Sequence, residues 1–88
     1  MEYTEINYLI ISCDSENGFR FVETYETKEQ AEAKMREYYT QAIKEKTEDN
    51  RKNIEWEVYG DETYIHISID DGYGIPYNRW YEIVKQTK

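Results

Sequence analysis

One stretch of helical spacing lies among five stretches of strand-like alternation, and that ratio decides what the chain can build. Ile65, Ile67 and Ile69 alternate with Tyr64, His66, Ser68 and Asp70, which places an apolar row on one side of an extended segment and polar groups on the other. Such a segment belongs to a sheet with one dry face, because successive side chains on a strand point to opposite faces. A single helix covers one face of a sheet and leaves the other uncovered, so the chain has a built-in asymmetry.

The remaining segments follow from the same periodicities. From Ile6 to Ser12 both alternating sets are apolar, with Ile6, Tyr8 and Ile10 on one side and Leu9 and Ile11 on the other, which is how an interior strand reads. Asp14-Ser15-Glu16-Asn17-Gly18 is a turn cluster, and Phe19 to Tyr25 supplies the returning strand of a hairpin. Thr27-Lys28-Glu29-Gln30 fits the capping box and opens a helix of about 20 residues, in which Ala31, Met35, Tyr38, Tyr39, Ala42 and Ile43 form the inner side. The helix is expected to fray into the polar connector from Thr47 to Lys52. Ile54, Trp56 and Val58 begin a second hairpin that turns at Gly60-Asp61 and returns from Tyr64 to Asp70. Two glycines and Pro76 make a loop of the segment from Asp70 to Pro76, and a last strand runs from Tyr77 to Val84. Its buried side is either Trp80 with Val84 or Tyr81 with Ile83, and alternation alone leaves both open.

The expected fold is therefore α+β and two-layered: one amphipathic helix on a largely antiparallel five-stranded sheet, in the order β-β-α-β-β-β, as a single domain over residues 1–88. At this size a domain buries only about 60 to 65% of its unfolded surface, so a partner or a second copy would add stability. Ten tyrosines against two phenylalanines fit a molecule with one dry face and one adhesive face, because a tyrosine ring packs while its hydroxyl stays available.

The net charge of −8 is unevenly spread. Met1 to Glu26 holds six carboxylates against Arg20 alone, for −5; Thr27 to Lys52, which includes the helix, is +1; Asn53 to Lys88 is −4. The acidity belongs to strands and loops. It argues against direct contact with nucleic acid or an anionic membrane, which bind through lysine and arginine clusters, and favours a basic protein surface, including that of a nucleic-acid-binding protein. Carboxylates arrayed on an open sheet imitate phosphates, although duplex DNA of about 30 Å carries roughly 18 charges, about twice the density nine net charges would supply on one side.

No constellation with catalytic or cofactor-binding spacing is present. His66 falls on the polar side of its strand between Tyr64 and Ser68 and reads as a surface or interface histidine rather than a general base. Cys13, the only cysteine, permits no intramolecular disulfide or cysteine zinc cluster and reads as a partly buried thiol. The acidic turns around Asp14 and Asp70-Asp71 lack calcium-loop spacing, since Gly18 sits fifth from Asp14 and Tyr25 stands where a twelfth-position glutamate belongs. Neither a catalytic residue, nor a metal site, nor a cofactor is assigned. Met1 to Glu5 has no basic or apolar leader character and no apolar run approaches a membrane span, so a cytoplasmic chain is expected.

Tyr25-Glu26-Thr27-Lys28-Glu29-Gln30-Ala31 leading into Met35 and Tyr38-Tyr39, with Ile67 to Gly72 and Trp80-Tyr81-Glu82-Ile83, resembles small uncharacterised acidic proteins of Gram-positive bacteria, their phages and mobile elements. In size and acidity the chain is also similar to phage-encoded anti-CRISPR and anti-restriction inhibitors. The second resemblance implies a non-enzymatic inhibitor that occupies a basic nucleic-acid-binding surface. Glu55, Glu57, Asp70 and Asp71 would then pair with lysine or arginine, Tyr59, Tyr64 and Tyr73 would supply packing, and His66 would lie among them. The alternative is a small structural homodimer that buries its open sheet face.

Overall fold

The computed structural model describes residues 6–87 and is an α+β domain in which one helix packs on a five-stranded antiparallel sheet. The strands are β1 (Ile6–Asp14), β2 (Gly18–Tyr25), β3 (Glu55–Gly60), β4 (Tyr64–Asp70) and β5 (Tyr77–Thr87), and the helix is α1 (Lys28–Glu48). The expected class and element order are both found. The leader reading concerns Met1 to Glu5, which lie outside the described residues. None of the described helical residues forms a helix long and apolar enough to cross a membrane.

The strand order is β2-β1-β5-β4-β3, so the two hairpins are joined through β5, which pairs with both β1 and β4. This order explains the long helix. The chain leaves β2 at one edge and must enter β3 at the other, a distance of about 19 Å across four strand spacings. Taken diagonally, 21 residues span about 32 Å, and α1 touches every strand on the way.

The core lies between α1 and one face of the sheet. Ile10, Ile65, Ile67 and Tyr81 meet Ala31, Met35 and Ala42, and the two alanines let the helix approach closely. Pairing of Ile10 with Ile83 and of Ile65 with Tyr81 fixes the last strand: Tyr81 and Ile83 face the helix, so Trp80 and Val84 face away. Tyr38 stacks on Tyr81 with centroids 4.5 Å apart, and Phe21 closes the cluster. Glu23 accepts hydrogen bonds from the hydroxyls of both Tyr25 and Tyr38.

Both ends of the helix are fixed. The Thr27 hydroxyl accepts from the Gln30 amide, and Gln30 Oε1 accepts from the Thr27 amide, each at 3.2 Å. At the other end the expected fraying is replaced by an anchor. Asp49 accepts from the Trp56 indole at 2.7 Å and pairs with Arg51, tying the helix end to β3. Tyr39 and Ile43, expected on the inner side, are instead exposed, because the helix rests on Ala31, Met35, Tyr38 and Ala42 and these two residues lie beyond that stripe.

Candidate protein-interaction face

Among the described residues no element covers the sheet face opposite α1, and the register assigns its occupants. Phe19, Cys13, Trp80, His66 and Tyr59 are successive cross-strand partners on β2, β1, β5, β4 and β3, so one row of side chains crosses the whole sheet. A bulge in β2 at the Ser12–Cys13 step is what brings Phe19 opposite Cys13. His66 stacks on Trp80 with centroids 5.2 Å apart and planes at 12°, while Tyr59 meets His66 edge-on at 4.8 Å. The Tyr59 hydroxyl bonds His66 Nδ1, and Asn78 Oδ1 lies 2.8 Å from Nε2. Held from both nitrogens and one ring face, His66 stiffens a ridge.

The ridge divides the face. On one side Val22, Ile11, Leu9 and Val84 form an aliphatic shelf, with Tyr64 and Glu82 continuing it toward β4. On the other side, toward the start of β3, stand Asn78, Ser68 and Glu57, then Asp70 directly opposite Glu55. Val22 is 44% exposed, Tyr59 48% and Tyr64 39%, while Ile11, Leu9, Val84 and Trp80 are half-buried.

The electrostatics of this face are one-sided. Glu55, Glu57, Asp70 and Glu82 are its charged residues, and among the described residues no lysine or arginine lies there. Arg79 and Lys85 pair with Asp14 and Tyr8 on the helix side, and Arg20 turns to Ser12 and Tyr81 on that same side. None of the four carboxylates enters an ion pair among the described residues, whose pairs lie on the helix face or at loops. Two carboxylates directly opposite on neighbouring strands repel, so Glu55 and Asp70 cost the free chain stability.

Six of the eight residues singled out from the sequence therefore share this face: Glu55, Glu57, Tyr59, Tyr64, His66 and Asp70. Asp71 and Tyr73 lie in the loop after β4, at the acidic end of the sheet. Two hydrogen bonds shape that loop, from the Gly72 amide to Asp70 at 2.8 Å and from the Tyr73 amide to Asp71 at 2.9 Å. Tyr73 is 89% exposed rather than folded over the sheet edge, and Ile75 beside it is 94% exposed.

Sequence reasoning missed Trp80, Val84 and Glu82, whose side depended on the unresolved phase of the last strand, and Ile75, which lacks any alternation partner. Cys13 and His66 share the ridge, but the β5 strand and Trp80 stand between them, so two strand spacings, roughly 10 Å, separate a thiol from a base. Among the described residues no three histidine, cysteine, aspartate or glutamate side chains are grouped to hold a metal ion.

Comparison of the chain with family models, with curated proteins and with solved structures finds no match. The functional reading rests on the face itself.

Proposed function

We propose that this chain is a non-enzymatic interaction domain that holds a basic protein surface against the open face of its sheet, and that its sharpest form is an inhibitor covering the nucleic-acid-binding surface of a host protein. The observation that carries this reading is a set of four carboxylates that, among the described residues, share their face with no lysine or arginine and are arranged around a ridge of aromatic side chains. Charge of one sign speeds encounter with an oppositely charged partner, and the desolvated rings then slow its release. The homodimer alternative draws on the same aliphatic shelf. Packing two such faces together brings eight carboxylates into one interface with, among the described residues, no arginine or lysine to meet them.

Affinity capture with the tagged chain from its native host tests the reading. Basic nucleic-acid-binding proteins should be enriched at low salt, released as salt is raised, displaced by added duplex DNA, and lost when Glu57→Lys and Asp70→Lys are combined. Recovery of no basic protein, or retention that ignores salt, would defeat it.

A further inference from the structure

Resting on the reading of the open face as a binding surface for a basic protein, we infer that its occupant is an amphipathic helix of that partner, apolar along one stripe and bearing lysine or arginine along the flank. The sheet already demonstrates the fit on its other side, where one helix makes contact with all five strands. A helix of about 13 residues is roughly 19 Å long, which equals four strand spacings, so a short partner helix reaches from the β2 edge to the β3 edge.

The register of the face fits this occupant. Val22, Ile11, Leu9 and Val84 form an apolar patch on β2, β1 and β5, and Trp80, His66 and Tyr59 continue it as an aromatic row on β5, β4 and β3. The apolar stripe of one helix laid across the strands covers a patch of that extent. Cations on its flanks then come within reach of Glu82, the cross-strand partner of Ile11 and Tyr64, and of Glu57 on the far side of the aromatic row. The same face of a second copy brings four more carboxylates and, among the described residues, no lysine or arginine, so face-to-face pairing lacks the charge complementarity that a cationic helix supplies.

Trp80 gives the test a local reporter. In a Trp56→Phe background it is the only tryptophan, and three 18-residue peptides serve as probes: leucine–lysine amphipathic, leucine–glutamate amphipathic, and lysine–serine without an apolar stripe. The leucine–lysine peptide should shift Trp80 emission to the blue with one-to-one saturation, the lysine–serine peptide should bind at least about tenfold more weakly, and the leucine–glutamate peptide should give no shift. Combining Glu57→Gln with Glu82→Gln should weaken the leucine–lysine peptide about fivefold at low salt, whereas Glu29→Gln with Glu48→Gln on the helix should leave it unchanged.

Equal binding of the two lysine peptides, or equal weakening by the two pairs of variants, overturns the helix inference while a basic partner stands. Failure of both lysine peptides together with failure of the affinity capture overturns both. A chain that light scattering shows to be a dilution-resistant dimer, with Trp80 emission already blue, also overturns both, because a second copy then fills the face.

Discussion

Replacing Gly60 by alanine tests the turn that sets the register of the acidic edge. Gly60 closes β3 opposite Ile65 with φ +135, a conformation that L-residues rarely adopt. An added Cβ would overlap the Tyr64 carbonyl oxygen and stand 2.8 Å from the Ile65 Cα, and both neighbours are backbone that cannot rotate away. That carbonyl also accepts from the Asp61 amide at 2.8 Å, so relief of the clash breaks the turn. The dihedral costs about 1–2 kcal/mol and the overlap a further 1–3, giving roughly 2–5 kcal/mol. A domain of this length holds about 4–13 kcal/mol in total, so Gly60→Ala should remove a large part of it and lower Tm by roughly 10–30 °C. Gly18→Ala isolates the dihedral term, because φ is +74 but nothing lies within 4 Å; it should cost about 1 kcal/mol. Gly74→Ala has neither problem and should stay within about 0.5 kcal/mol of the parent. Urea unfolding followed by tryptophan emission ranks the three. A Gly60→Ala midpoint no lower than that of Gly18→Ala would refute the steric argument.

Alkali should destabilise the fold through the tyrosines of the helix-side cluster. Burial, then the Glu23 carboxylate, pushes the Tyr25 hydroxyl up to about 12, and the same causes raise Tyr38 further. A raised folded-state value means that the unfolded chain loses its proton first. The stabilisation is complete below pH 10 and is lost as pH rises from 10 toward 12; Tyr25→Phe should flatten that loss in pH-dependent urea midpoints, and an unchanged slope counts against it. Combining Tyr73→Ser with Ile75→Ser should leave Tm within about 3 °C, since both side chains touch almost nothing in the free chain; a larger drop would mean that the loop packs. Glu55→Gln should raise stability by about 0.2–1 kcal/mol by removing the charge opposite Asp70, and a fall in the urea midpoint would show that the pair does not repel.

The fold was legible wherever one period dominated. Ile65, Ile67 and Ile69 declared a half-buried strand, and Thr27 with Gln30 declared the start of the helix, because each signal is local and chemical. The capping box needs only four residues, and the structure makes both of its bonds. Information that lives between strands was not legible. The phase of Tyr77 to Val84 is set by pairing with Ile10 and Ile65, residues 73 and 16 positions before Ile83 and Tyr81, and no local pattern carries it. The same distance effect hid the ridge: Phe19, Cys13, Trp80, His66 and Tyr59 come together only through the order β2-β1-β5-β4-β3. Tyr39 was misplaced for a smaller reason, since helical spacing marks a broad stripe and contact with the sheet selects part of it. Asp49 looked like connector because its partner, the Trp56 indole, lies beyond the turn in β3.

Six of the ten tyrosines divide by the side of the sheet on which they stand. Tyr25, Tyr38 and Tyr81 lie under the helix, where hydroxyls reach Glu23 and Arg20, so each ring packs while its polar end stays satisfied. Phenylalanine at those positions would leave Glu23 and Arg20 short of partners. Tyr59, Tyr64 and Tyr73 stand among carboxylates on or beside the open face, where Tyr59 holds His66 and Tyr73, 89% exposed, packs on almost nothing in the free chain. The charge follows the same division. Arginines and lysines of the strands are turned to the helix side, where Arg20 meets Asp14 at 3.6 Å, while Glu55, Glu57, Asp70 and Glu82 on the other have no ion-pair partner among the described residues. A chain selected only for stability would place some of its eleven cations opposite those carboxylates. Keeping them apart weakens the free protein and leaves the face charged, which is the physical support for the proposal that a cationic partner binds on that side of the sheet.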